Sequence, residues 1–130
     1  MDKIVFITGA SSGIGAGCAR KFASQGASLI LNARNVNKLS ALKEELEKQY
    51  GAKIYLLPFD VRDRKAATSA LESLPKEWQS IDILVNNAGL VIGTDKEQEG
   101  SLDEWDIVID TNVKALLAMT RLIVPGMVER

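Results

Sequence analysis

The sequence predicts an α/β fold built on a doubly wound parallel sheet, and three observations carry that expectation. Short, continuous apolar runs alternate with longer stretches of helical spacing, the pattern of strands buried on both faces and separated by covering helices. A glycine- and serine-rich segment, Thr8 to Gly15, falls at the first strand-to-helix junction. The 130 residues, 46% hydrophobic and 25% charged, suit one globular domain spanning residues 1–130.

Taken in order, the first strand is expected over Lys3 to Thr8, followed by a helix from Gly13 to Gln25 that Gly26 stops. Strand two covers Ser28 to Ala33. Asn35 or Asn37 can cap a helix reaching Tyr50, whose apolar stripe is Leu39, Leu42 and Leu46 and which Gly51 ends. Strand three covers Lys53 to Pro58. Asp63 can cap the next helix, with Ala66, Ala67, Ala70, Leu71 and Leu74 facing inward and Pro75 as its stop. Strand four covers Ile81 to Asn86. After a polar loop over Gly93 to Gly100, one helix near Leu102 to Asp110 leads into another from Asn112 to Val128, where Pro125 strains the last turns. Right-handed crossovers place the strands in the order 3-2-1-4, so a ligand crevice opens at the carboxyl ends of strands one and four, where the winding reverses.

Charge narrows the possible partners. Sixteen basic and seventeen acidic residues are interspersed for a net charge of −1, which gives no handle for nucleic acid or an anionic membrane. Cys18 is the only cysteine and reads as a small apolar helix residue, compatible with a reducing compartment. There is no histidine, so no metal cluster is expected. The segment after Met1 is too short an apolar run for a signal peptide or a membrane span, and a cytoplasmic location is the expectation. Trp78 and Trp105 read as packing residues.

The loop Thr8-Gly9-Ala10-Ser11-Ser12-Gly13-Ile14-Gly15 stands where free backbone N–H groups and a helix dipole make an anion site. Gly9 permits the tight turn, Gly13 lets a pyrophosphate approach the backbone, and Gly15 lets the helix pack near the sheet. Ser11 and Ser12 offer hydroxyl donors. The spacing G-x-x-x-G-x-G departs from the common G-x-G-x-x-G pattern; a plain turn is the competing reading. Strand two ends in Asn32-Ala33-Arg34 with no acidic residue. An acid there would mark NAD, whereas Arg34 can present its planar fork to a ribose 2′-phosphate and so marks NADP(H). A solvated surface arginine is the alternative.

TGASSGIG together with Asn86-Asn87-Ala88-Gly89 after strand four resembles the short-chain dehydrogenase/reductase family, which has a Rossmann fold. The resemblance covers the chain as the first half of that family's pattern. It implies that the first motif binds dinucleotide phosphates, and that Asn87, Ala88 and Gly89 steady the sheet beside the cofactor ribose. It further implies that Asp60, followed by Val61, accepts a hydrogen bond from the adenine amino group. Asn112, in Thr111-Asn112-Val113, matches the asparagine of the family's Asn-Ser-Tyr-Lys tetrad, where it helps hold a water in a proton relay. Each has a plainer reading: Asn87 as a buried turn residue tying strands together, Asp60 in a helix-entry turn, Asn112 as a helix cap. Asn86 to Gly93, Asp110 to Arg121 and Pro125 to Arg130 resemble the subgroup acting on small 3-hydroxy acids and serine with NADP.

The proton donor of that family is a tyrosine in a Tyr-x-x-x-Lys pattern. No such pattern occurs here: Tyr50 and Tyr55 are the only tyrosines, and no serine follows Ser101. The expectation is therefore an NADP(H)-dependent oxidoreductase represented by its N-terminal portion. It would interconvert a hydroxyl and a carbonyl on a small substrate, and this chain alone would lack turnover. The alternative is a catalytically inactive dinucleotide-binding fragment or sensor module. The complete protein is expected to self-associate as a dimer or tetramer through the helix over Asn112 to Val128, whose apolar residues occupy more than one face.

Overall fold

The computed structural model describes residues 1–90 and 97–130. Side-chain alternation along two central strands sets the layering. In β1 (Ile4–Ile7), Val5 and Ile7 join one apolar cluster and Phe6 another; in β2 (Ser28–Leu31), Leu29 and Leu31 join the first and Ile30 the second. All six of these side chains are 0% exposed. Strands buried on both faces need a helical layer on each side. The first face is covered by α1 (Gly13–Ser24), through Ala16, Ala19 and Ala23, and by α2 (Val36–Tyr50), through Leu39, Leu42 and Leu46. The second face is covered by Ala67 of α3 (Arg64–Glu72). The chain then continues through α4 (Leu102–Ile109) to α5 (Ala115–Glu129), which adds Ala115, Met119 and Ile123. Trp78 closes this second cluster at 5% exposure, whereas Trp105 is 36% exposed and lies against Gly100.

With β3 (Ile54–Leu56) and β4 (Ile83–Val85) the sheet is parallel throughout and ordered β3-β2-β1-β4, as the sequence predicts. Strand four begins later than the apolar run suggests. A 3-10 turn over Lys76–Trp78 leads into a local bond from Ile81 N–H to the Gln79 carbonyl (3.0 Å), and Ile81 packs in the second cluster before the ladder starts.

Three helix starts are capped as amide accounting requires. Asn35, not Asn37, accepts from Lys38 N–H (3.1 Å), Asp63 accepts from Ala66 N–H (3.0 Å), and Ser101 accepts from Glu104 N–H (3.3 Å). Gly51 ends α2 at φ +63°, a left-handed cap. The expected break between two C-terminal helices is absent. Instead, a π-helical turn over Asp110–Lys114 joins α4 to α5, and α5 continues through Pro125 to Glu129. Asn112 sits inside this continuous helix, so the helix-cap reading fails. Of the loop expected over Gly93 to Gly100, residues 93–96 lie outside the described residues, and Glu97–Glu99 form a 3-10 turn. No helix among the described residues is long and apolar enough to cross a membrane.

Candidate functional site: a groove at the strand ends

The carboxyl ends of all four strands open onto one groove of about 520 Å³. Its walls bring together Gly9, Ser11, Ser12, Gly13 and Ile14 from the first loop, Ala33 and Arg34 after β2, Asp60 and Val61 after β3, and Asn87, Ala88 and Gly89 after β4. With Ala33 added, these are the expected site residues apart from Gly15 and Asn112.

Gly15 lies beneath the groove and acts within the protein. A Cβ there would overlap the Gly9 carbonyl oxygen and come within 2.5 Å of the Asn87 Nδ2, so only glycine lets α1 start this close to the sheet. Gly13 differs: its φ is +57°, and a Cβ would meet nothing within 4 Å. The space above it is open to a ligand. Ser12 precedes α1 without making a side-chain capping bond. The first N–H groups of α1 therefore have no capping side chain and face the groove with the positive end of the helix dipole. Ile14, 77% exposed, is an apolar side chain standing at that rim.

Two buried polar residues hold the walls in register. Thr8, 1% exposed, accepts through Oγ1 from the backbone N–H of Asn87 (3.0 Å) and of Ala88 (2.9 Å), tying the loop after β4 to the end of β1. Asn87, half-buried, completes the tie by donating from Nδ2 to the Gly9 carbonyl (3.0 Å), which supports its reading as a link between strands while its position also lines the groove. Asn32, 1% exposed, donates from Nδ2 to the carbonyls of Leu57 and Phe59 (both 3.1 Å), and its own carbonyl accepts from Ala10 N–H (2.9 Å). One asparagine thus fixes the ends of β1, β2 and β3 together.

Beyond Asn32 the groove becomes charged. Asp60 receives the Arg62 guanidinium side-on, with Nη2 to Oδ2 at 2.8 Å and Nε to Oδ1 at 3.1 Å, and the Arg62 N–H bonds Oδ1 at 3.0 Å. The Arg62 hydrogen bonds hold the Asp60 carboxyl below the usual carboxylate range against the opposing effect of burial, and the nearby Arg34 charge acts in the same direction. Arg34 itself is exposed on the same wall. Arg34, Asp60 and Arg62 leave one net positive charge at this end of the groove. Arg62 was not singled out from the sequence, and neither were Phe59, Leu90 and Thr111, which also line the groove. The signal for Arg62 was its place two residues after an acid at a strand end.

Asn112 stands behind the groove wall. Its Nδ2 donates to the Leu90 carbonyl and its Oδ1 accepts from Leu90 N–H, both at 2.8 Å, a paired clamp on the segment that leaves β4. Gly89 packs closely beside it: a Cβ there would lie 3.1 Å from Asn112 Oδ1, a tight contact that the clamp would have to shift to relieve. Of the segment Asn86 to Gly93, residues 91–93 lie outside the described residues.

Residues 3–130 match the family model of short chain dehydrogenases. The chain belongs to that family. This short-chain dehydrogenase chain is 46% identical over 127 residues to the NADP-dependent 3-hydroxy acid dehydrogenase YdfG of Escherichia coli, covering 98% of the chain and 50% of that protein. It is 41% identical over 129 residues to sulfoacetaldehyde reductase 2 of Chromohalobacter salexigens, covering 99% and 50%. Among solved structures, serine dehydrogenase from Escherichia coli superposes with a TM-score of 0.91 at 46% identity, over 98% of this chain and 57% of that one. The chain spans about half the length of the curated relatives it matches.

Proposed function

We propose that the groove binds NADP(H), and that the whole protein is an oxidoreductase interconverting a hydroxyl and a carbonyl on a small substrate of the 3-hydroxy acid class. The observation that carries the cofactor reading is Arg34 on the groove wall after β2, in a stretch, Asn32-Ala33-Arg34, that itself carries no acidic side chain. The open space over Gly13 and the uncapped start of α1 fit a pyrophosphate. Ser11 and Ser12 would donate to the phosphates, Asp60 and Val61 would meet the adenine, and Asn87, Ala88 and Gly89 would flank the ribose. Bound there, the nicotinamide supplies or accepts the hydride. Relatives described as NADP-dependent and a similar structure of serine dehydrogenase complexed with NADP+ support the choice.

Both side-chain amide atoms of Asn112 are committed to Leu90. Its second amide N–H, its second Oδ1 lone pair and its backbone are what it has left for a proton relay, beside its hold on the wall next to the cofactor. The substrate class rests on the named relatives. A cytoplasmic location accompanies a reduced pyridine nucleotide and a single cysteine. Assembly into a dimer or tetramer belongs to the same proposal, supported by exposed Val113 (51%) and Leu117 (61%) on the α5 side.

Calorimetric titration with NADPH and NADH tests the cofactor reading. NADPH should bind more tightly, and Arg34→Ala should weaken NADPH by roughly 10- to 100-fold while leaving NADH nearly unchanged. Equal affinities, or equal losses in the variant, would refute the 2′-phosphate assignment.

A further inference from the structure

Asn32 stands just past the end of β2, and the orientation of its side-chain amide is settled by its partners. Both Nδ2 hydrogens are spent inside the protein, on the carbonyls of Leu57 and Phe59. A flipped amide would aim Oδ1 at those two carbonyl oxygens, so the oxygen has one place to be. Among the described residues no group donates to Oδ1, and none of their side-chain polar atoms is both shut off from solvent and without a partner. Asn32 is 1% exposed and lines the groove, so Oδ1 is the part of it that meets the groove. A fixed acceptor in the wall calls for a donor on the ligand, because covering it with carbon–hydrogen surface costs roughly 5- to 100-fold in binding. Which donor follows from what lies on either side. The Asn32 carbonyl accepts from Ala10 N–H (2.9 Å) in the phosphate loop, and Arg34 is two residues further along the chain on the same wall. In a dinucleotide with its pyrophosphate over that loop and its 2′-phosphate at Arg34, the sugar joining the two lies across Asn32. That sugar keeps one hydroxyl, on the 3′ carbon.

We infer that Asn32 is a specificity-determining residue for the cofactor's ribose phosphate: its Oδ1 accepts from the 3′-hydroxyl, and so admits an adenosine phosphorylated at the 2′ position while refusing one phosphorylated at the 3′ position. The inference rests on the reading of the groove as an NADP(H) site, and it names what decides the place of the phosphate there. Arg34 cannot make this distinction, since an exposed guanidinium on a long side chain pairs with a phosphate at either carbon. A 3′-phosphate would set negatively charged oxygens against the Asn32 oxygen, which cannot turn away because the Leu57 and Phe59 carbonyls hold its amide. The sugar of NADH carries the same 3′-hydroxyl, so Asn32 serves both cofactors and Arg34 separates them.

The test compares NADPH with two analogues, one lacking the 3′-hydroxyl and one carrying the phosphate on the 3′ instead of the 2′ oxygen, by reduced-nicotinamide fluorescence on the protein and on Asn32→Leu and Asn32→Ala. The unaltered protein should prefer NADPH to the 3′-deoxy analogue by roughly 5- to 100-fold, the range for leaving a buried acceptor without a partner, and to the 3′-phosphate isomer by at least as much. Both variants should bring NADPH and the 3′-deoxy analogue to within about threefold of each other, because neither side chain has an acceptor to lose. Loss of the amide also frees the Leu57 and Phe59 carbonyls and loosens the wall, which weakens the ligands alike and cancels in the ratio. The ratio thus reports the contact with the sugar rather than general stability. Equal binding of NADPH and the 3′-deoxy analogue by the unaltered protein, binding of the 3′-phosphate isomer as tight as that of NADPH, or an undiminished ratio in either folded variant would overturn the role of Asn32 and leave the groove reading standing. Binding of none of the three ligands by the unaltered protein would overturn the groove reading, and this inference with it.

Discussion

On one side of β1, Leu29, Ile30 and Leu31 of β2 are 0% exposed and helices cover both faces; on the other, all three residues of β4 remain partly exposed. The contrast extends to the helices. Leu39, Leu42 and Leu46 of α2 are buried, whereas Leu116, Leu117 and Leu122 of α5 are 38–61% exposed. Among the described residues β4 pairs only with β1, and an unpaired strand edge beside apolar surface invites another surface. The difference teaches where the proposed nucleotide contacts stand. Gly9, Gly13 and Arg34 follow the central strands β1 and β2, and Asp60 follows β3, the sheet's other edge. The β4 side contributes links, through Asn87 and Asn112, and carries the surface available to a partner.

Substitutions on the two sides should therefore differ, and the largest effect belongs to the phosphate loop. Gly15→Val should prevent stable folding, because its side chain would collide with the Gly9 backbone. Gly13→Val sets its Cβ in open space and should stay folded at a cost of about 1–2 kcal/mol for its positive φ, yet lose NADPH binding. Thermal melts with nucleotide titration separate these outcomes. A folded Gly13→Val variant of unchanged affinity would show that the loop is only a turn.

Next in size is the tie across β1. Thr8→Val leaves the N–H of Ala88 without its acceptor, at about 1–3 kcal/mol, while the N–H of Asn87 keeps its bond to the Val85 carbonyl (3.0 Å). Thr120→Val removes the partner of Asn86 Nδ2 (3.0 Å) on the more open side and should cost only about 0.5–1.5 kcal/mol. Equal losses in urea unfolding would erase the contrast. On the outer face of α5, Leu117→Glu should change monomer stability by no more than about 0.5 kcal/mol while abolishing self-association of the whole protein. Light scattering that finds an unaltered oligomer would remove α5 from the interface.

The smallest expected effect is a pH dependence. Asp60 has a lowered pKa in the folded state, so its contribution is complete above the ordinary carboxyl value of about 4. It declines as pH falls from there through the lowered value, and is lost below it. The stability difference between the protein and Asp60→Asn should thus hold from neutrality to that region and close only in stronger acid. A difference that grows on acidification would reverse the assignment.

The central strands were legible because each is a continuous apolar run, and a strand buried on both faces leaves no ambiguity of register for polar residues to betray. The loop glycines were legible for a related reason: their spacing against a strand end has a backbone consequence. Ile81 misled because a buried residue preceding a strand is as apolar as one within it. Asn112 misled as a cap because a π-helical turn leaves the hydrophobic pattern on both sides intact. Its true partner, Leu90, is a backbone segment 22 residues away. Arg62 escaped because a charged residue in a turn looks solvated until the turn's hydrogen bonds aim it at Asp60.

The π-helical turn between α4 and α5 also has a consequence for how the chain tolerates length changes. Relative to an α-helix, a single π turn carries one surplus residue, which displaces everything after it by about 100° around the helix axis. It works as a phase shifter. Upstream, α4 keeps its own facing; downstream, Ala115, Met119 and Ile123 come round to the sheet, while Asn112, within the turn itself, still reaches Leu90. Deleting any one residue from Asp110–Lys114 would let the helix relax to uniform winding, and it would then have to choose between seating Met119 in the core and keeping the clamp on the segment leaving β4. Alignment-neutral substitutions in this stretch are harmless to that phase, whereas a one-residue gap rotates an entire helix.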